Sequence, residues 1–264
     1  MGAERAVHRP GRSPADEEVL LRARDLSFGY GHDAVLRDVT LTINAGEFVA
    51  LVGPNGSGKS TLLKLLLGVL PAASGSIELF GRAPNDVRDR WRVGYVPQRP
   101  SLHSEVPATV EEIVSAGRLR QRGWWRGLTA SDHAAVLHAI ESVGLGELTD
   151  RPLNELSIGQ QQRAFIARAF AGEPSLLVLD EPIAGVDAES QRRFRDSLVH
   201  LIRQHGAGVL LVSHELAAVA DVIDRVVVLK GRVVFDGSPE ELAGRGVSLG
   251  VHREDLPLWL EDLR

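Results

Sequence analysis

The apolar positions along the chain change rhythm several times, and each change marks an element. "LLRARDLSFGY" (20–30) and "AVLRDVTLTI" (34–43) alternate at a period near two, which predicts two strands. "EFVALV" (47–52) is an apolar strand that runs into a glycine-rich turn, and "TLLKLLLGVL" (61–70) then has the length and apolar stripe of a helix. "SGSIELFG" (74–81) returns to strand, and "RVGYVPQ" (92–98) is a short strand ending at a proline. From 107 to 150 the pattern is helical, with Gly and Pro breaks. "SLLVLDEP" (175–182) and "GVLLVSHE" (208–215) are short apolar runs of the kind buried in parallel sheets, with a helix at about 188–205 between them. "RVVVLKGRVVFDG" (225–237) predicts a hairpin turning at Lys230 and Gly231.

Strand and helix alternating in this way predict an α/β core with a mainly parallel sheet and an antiparallel β part. The helical stretch 101–160 is read as an insertion into a domain spanning 19–240. Residues 1–18, rich in Pro, Gly and charge, are read as a tail without fixed structure, and 241–264 as a C-terminal extension with a short helix. The tail has no apolar run of the secretory kind, and its Met-Gly start has Ala6 where a myristoylation signal needs Ser or Thr.

Composition narrows the function classes. Hydrophobic residues make up 44% and charged residues 25%, so a packed core needs no staples. There is no cysteine, which excludes disulfides and thiolate metal sites. A net charge of −5 argues against a general nucleic-acid binder. The longest apolar run, "LLKLLLGVL", is interrupted by Lys64 and is too short for a membrane span. The nine histidines include no H-E-x-x-H pair.

"GPNGSGKST" (53–61) fits G-x-x-x-x-G-K-[ST] and lies between a predicted strand and a predicted helix, the context this phosphate loop requires. Gly53, Pro54, Asn55, Gly56, Ser57 and Gly58 form a loop whose amides can turn toward one anion, backed by the partial positive charge of a helix start. Lys59 is placed to reach the β- and γ-phosphates and the Ser60 hydroxyl to ligate Mg²⁺, and Thr61 is the last of the nucleotide-binding positions. A nucleotide and Mg²⁺ are therefore the expected ligands. "LLVLDE" ends an apolar strand on two carboxylates whose side chains strand alternation sends to opposite faces. Asp180 is read as a Mg²⁺ ligand, and Glu181 as the general base that polarises the attacking water.

In order along the chain these motifs resemble the ATPase subunits of ATP-binding cassette (ABC) transporters, over about residues 20 to 240. The resemblance implies a P-loop, RecA-like fold and several further assignments. Tyr30 in "SFGYG" would stack on adenine, and Gln98 in "YVPQ" would touch Mg²⁺ and the water. "LSIGQ" would be the signature, with Ser157, Gly159 and Gln160 facing the γ-phosphate of a second cassette. Asp187 in "AGVD" would lie at the dimer interface, and His214 in "VSHE" would act on the γ-phosphate. Implied partners are a second copy in a head-to-tail homodimer, integral membrane permease subunits and, indirectly, a solute-binding protein, with the chain at the cytoplasmic face of the membrane. "VPQRPSLHSEVPATVEEIVSAGR" (96–118), "LSIGQQQR" and "GVDAESQ" look like zinc- and manganese-uptake ATPases. A cassette for a siderophore, a phosphonate or export, a soluble ABC ATPase, and a nucleotide-gated module without turnover are the alternatives.

The signature has Ile158 where the family has glycine. Ser157 is a good N-cap, and Gln160 three residues later completes a capping-box pattern. Ile158 then falls at the first helical position, where φ is ordinary, and Gly159 stays where a phosphate must approach closely. Ile183 stands where the family has Thr and is assigned no chemistry. "GRLRQRGWWRGL" (117–128) sets Arg118, Arg120, Arg122 and Arg126 around Trp124 and Trp125. It is read either as a half-wet docking patch or as a solvated basic segment.

Overall fold

A computed structural model describes residues 18–31, 33–98, 108–122, 127–182, 188–213 and 216–245. The proposed tail, save Glu18, and most of the proposed extension lie outside the described residues, as do Trp124, Trp125 and Ile183. The chain divides into two compact units, residues 88–215 and the segments 1–87 and 216–264 that flank them.

The flanking unit holds an antiparallel sheet in which β1 (Val19–Tyr30) lies between β2 (Asp33–Asn44) and β4 (Ser74–Leu79). Alternation along β1 sends Leu21 and Ala23 into the core, and a bulge at the exposed Arg24 and Asp25, with Asp25 at φ 49°, brings Leu26 back to the buried face. The fully buried β3 (Phe48–Val52) runs parallel to β8 (Arg225–Leu229), which pairs antiparallel with β9 (Val233–Gly237). The β8–β9 turn falls at Lys230 and Gly231, where the hairpin pattern places it, with Gly231 at φ 67°. Helix α1 (Lys59–Leu66) begins two residues earlier and stops sooner than its apolar stripe implies. Gly68 takes φ 71° and the Val69 amide donates back to Lys64 O, which closes the helix end.

Arg225 ties this unit together. Its Nε donates to Glu47 Oε1 at 2.7 Å, its Nη1 to both Asp236 oxygens at 2.9 Å, and its Nη2 to the Thr42 carbonyl. One cation therefore serves β2, β9 and the turn into β3. Burial pushes the Glu47 carboxyl above the usual carboxylate range, over the opposing pull of Arg225 and of the Asn44 amide. Burial also works against the charge on Arg225, but Glu47 and Asp236 together outweigh it and hold the guanidinium more firmly ionised. The asymmetry follows from one cation answering two carboxylates.

A raised carboxyl pKa means that the folded state holds this proton more tightly than the unfolded chain. The contribution of Glu47 to stability is full below its unfolded value and is lost as pH rises through the folded one. Glu47→Gln, which removes the desolvated charge, should cost little at neutral pH and flatten this slope. Arg225→Met strands two carboxylates and should be far more destabilising. Denaturant titrations at mildly acidic and neutral pH separate the two.

In the central unit β5 (Val93–Val96), β6 (Leu176–Asp180) and β7 (Gly208–Val212) form a parallel ladder with β6 in the middle. The strands β6 and β7 are buried at every position, which explains their unbroken apolar sequences. Helices α2 (Val110–Arg122), α3 (Ala130–Ser142) and α4 (Ile158–Ala171) pack on one another. The α2–α4 crossing is close, since a Cβ on Gly117 would strike the Arg168 carbonyl oxygen. Helix α5 (Ala188–His205) lays Phe194 against Phe170 of α4, ring centroids 6.2 Å apart. In the flanking unit a short α6 (Pro239–Arg245) follows β9.

Arg118 departs from the expected basic patch. Its side chain is only 11% exposed, and its Nε pairs at 3.0 Å with Asp132 Oδ1, itself 2% exposed. Its Nη1 reaches Glu173 Oε2 at 3.0 Å and the Ala171 carbonyl at 3.2 Å. Asp132 is also the third residue of α3 and completes the Thr129 capping box, its Oδ2 accepting from the Thr129 amide at 2.8 Å. Arg118 is therefore an internal tie between α2, α3 and the end of α4.

Candidate active site

The phosphate loop lies in the flanking unit between β3 and α1. Its shape follows from its glycines: Gly53, Gly56 and Gly58 take φ values of 154°, 78° and 98°. A Cβ at Gly53 would strike the Leu229 carbonyl oxygen, so side chains are excluded where the loop passes β8. The loop is held from behind by the β8–β9 turn, where the Gly231 amide donates to Ser57 O at 3.0 Å. Gly231 O in turn accepts from the Arg37 amide of β2 at 2.8 Å.

Lys59 Nζ donates to Gly53 O at 2.6 Å and Pro54 O at 3.0 Å, which sets its charge inside the loop. Leu62 N–H closes the first intrahelical bond, onto Gly58 O. Amides ahead of it are those that a helix start leaves without intrahelical acceptors. Ser57 Oγ is buried without a hydrogen-bond partner, an orphan that a bound polar group would satisfy. Ser60 is exposed at the start of α1. These features fit a polyphosphate, and the hydroxyl and carboxylate donors named for Mg²⁺ are the hard oxygens it prefers. Tyr30 sits at the tip of the β1–β2 hairpin, 52% exposed, its ring edge-on to Phe28 at 5.0 Å.

The acidic residues lie in the central unit. Strand β6 stops at Asp180, which is buried. Glu181 lies one residue beyond, at φ 48°, its amide donating to Val212 O at 2.7 Å. The two carboxylates are thus separated by a left-handed backbone turn, where strand alternation alone was expected to part them. A non-glycine residue there costs energy and is found at sites that need a fixed geometry. Gln98 Nε2 donates to Glu181 Oε2 at 2.7 Å, which joins two residues singled out separately in the sequence. The half-buried Tyr95 phenol is pushed up by burial and by the charge of Asp180.

The signature forms the start of α4. Ser157 is its N-cap, and the cap is reciprocal: Gln160 N donates to Ser157 Oγ at 3.3 Å, and Ser157 N to Gln160 Oε1 at 2.9 Å. Ile158 occupies the first helical position and is 85% exposed. A Cβ on Gly159 would meet nothing within 4 Å, so its face of the helix tip is open. Asp187 and His214 lie outside the described residues. Two connections escaped the sequence reading. Asp132 was visible in the pattern Thr129-x-x-Asp132, an unread capping box. Gln162 Nε2 donates to Pro97 O at 3.3 Å, a contact across 65 residues with no local signal.

A phosphate loop on an α/β scaffold, with a buried acid at the end of a parallel strand, defines a P-loop nucleotide-hydrolysing protein. The family model described as "ABC transporter" matches residues 36–184. The zinc uptake system ATP-binding protein ZurA of Listeria innocua is 40% identical over 223 residues, 84% of this chain and 87% of its own. The high-affinity zinc uptake system ATP-binding protein ZnuC of Bacillus subtilis is 40% identical over 212 residues, 80% and 91% respectively. A solved ATP-binding subunit of an ABC transporter superposes with a TM-score of 0.76 at 31% identity, covering 92% of this chain and 99% of its own. The chain belongs to the ABC transporter family, as an ATP-hydrolysing, ATP-binding subunit with the P-loop ATPase fold. Among the described residues no helix is long and apolar enough to cross a membrane.

Proposed function

We propose that the chain is the ATPase of a divalent-metal importer, carrying zinc or manganese, and works as a homodimer on the cytoplasmic face of permease subunits fed by a solute-binding protein. The single observation that carries the metal reading is identity of about 40% to several zinc uptake subunits over some four-fifths of the chain. A dimeric bacterial ABC transporter cassette among the similar structures, at a TM-score of 0.71 and 26% identity, supports the paired state. The metal would be cargo of the permease. The test is reconstitution of this chain with its permease in liposomes, with ATP hydrolysis and metal uptake measured together. Uptake of zinc or manganese that depends on ATP supports the proposal, and hydrolysis coupled only to another solute refutes it.

For the chemistry, the loop 53–61 grips the polyphosphate, with Lys59 set against its charge and Tyr30 offering an aromatic surface for adenine. Ser60, Asp180 and Gln98 would hold Mg²⁺, which would supply positive charge against the phosphates. Glu181 takes the proton of the attacking water while Gln98 holds its carboxylate in place. His214 acts on the γ-phosphate, and Asp187 lies along the dimer interface. The α4 tip of one subunit, with Ser157, Gly159 and Gln160, closes over the nucleotide held by the other. ATP then stabilises the closed pair because it binds that state better, and hydrolysis releases it.

Ile158 leaves this tip intact, since the cap is made by its neighbours and its backbone is helical. Ile158→Gly should leave ATP turnover within about threefold, a barrier change under ~1 kcal/mol. A much larger gain would mean that Ile158 obstructs the partner's nucleotide.

A further inference from the structure

We infer that Gln162 is a positioning residue for hydrolysis, tying the signature helix to the loop that aims the proposed base. This rests on the reading of Glu181 as that base.

Six residues form a continuous chain in the central unit. The Ser157–Gln160 cap fixes the first turn of α4. Gln162 lies in the next stretch of the same helix and is only 8% exposed. Its Nε2 donates to Pro97 O at 3.3 Å. Pro97 directly precedes Gln98, whose Nε2 donates to Glu181 Oε2 at 2.7 Å. The helix that carries the signature is therefore bonded to the peptide before Gln98, and Gln98 to Glu181.

Chemistry explains why the middle link is a glutamine. Pro97 is the first residue after β5, so its carbonyl has left the parallel ladder. This half-buried carbonyl needs a donor from outside the ladder. Gln162 supplies it on an amide long enough to cross from α4. The neighbouring polar side chains are tied elsewhere: Gln161 Nε2 donates to Leu156 O at 3.0 Å, and Arg163 Nη1 to Val143 O at 3.1 Å. Gln162 is thus the residue of its run that reaches the Gln98 loop. A shift of α4 when its tip meets a ligand passes through this bond to Gln98. The orientation of Glu181 becomes sensitive to whether the signature is engaged.

The test uses the full chain with MgATP and two variants. Gln162→Met keeps length and apolar packing but loses the donor; Gln162→Lys keeps a donor of similar reach. Expected for Gln162→Met is a fall in kcat of about tenfold with KM for ATP unchanged, beside a drop of no more than about a few degrees in the thermal midpoint from the one lost hydrogen bond. Gln162→Lys should recover most of the rate. Wild-type kcat in Gln162→Met overturns the inference. So does a loss of rate that tracks a falling midpoint and is equal in Gln162→Lys, which marks a purely structural residue. Glu181→Gln in the same assay separates this from the reading it rests on. If that variant turns over normally, the base assignment fails; if it is dead while Gln162→Met is normal, only the positioning role fails.

Discussion

Glu181→Gln should bind ATP as the parent does and hydrolyse it at least about 10²–10⁴-fold more slowly, the range for removal of a positioned general base. The substitution is nearly isosteric. The backbone that sets the position, with φ at 48° and the amide on Val212 O, does not depend on the carboxylate. The partner Gln98 can still meet an amide oxygen. What is lost is the capacity to take a proton. Because hydrolysis is what opens the proposed ATP-bound pair, this variant should also accumulate as dimer in MgATP. Single-turnover hydrolysis alongside size-exclusion chromatography reads both effects. Retained hydrolysis would remove Glu181 from the chemistry.

The second large effect is on stability. Arg118→Met removes the Arg118 half of the ion pair with Asp132, which is 2% exposed, and takes away the donor shared by Glu173 and the Ala171 carbonyl. Breaking a buried pair on one side costs about 3–5 kcal/mol, a large share of a typical domain's stability. Replacing both partners, as Arg118→Met with Asp132→Asn, should recover much of that cost. The amide can still serve the Thr129 cap, and the buried carboxylate is gone while Glu173 is exposed enough to be solvated. Denaturant titration of the three proteins checks the order. If Arg118→Met is as stable as the parent, Arg118 belongs to a solvated basic surface after all.

These two residues also show what the sequence reveals and what it hides. The alternation of β1 and β2, the unbroken apolar runs of β6 and β7 and the hairpin at Gly231 are local signals, and each became the expected element. The phosphate loop was legible because its spacing and its strand-to-helix context occur together. The Ser157–Gln160 cap was legible because both partners lie within one turn, and that settled the place of Ile158. Arg118 was misplaced because a run of Arg and Trp says nothing of which guanidinium turns inward. That depends on Asp132 and Glu173, 14 and 55 positions away in sequence. The left-handed turn at Glu181 was hidden for another reason. Strand alternation holds only inside a strand, and β6 ends one residue earlier. The Gln162–Pro97 bond likewise joins distant segments through no shared pattern.

The absence of cysteine makes the central claim open to a direct measurement. Asn55 in the phosphate loop and Ile158 at the signature tip are both exposed and accept single thiols. Chains carrying Asn55→Cys are mixed with chains carrying Ile158→Cys, both in the Glu181→Gln background, and treated with a short thiol-reactive crosslinker. Loop-to-tip sandwiching of ATP predicts a covalent Asn55–Ile158 heterodimer that forms with MgATP and not without nucleotide. ATP-dependent dimers that crosslink only like with like, or no mixed product at saturating ATP, would contradict it.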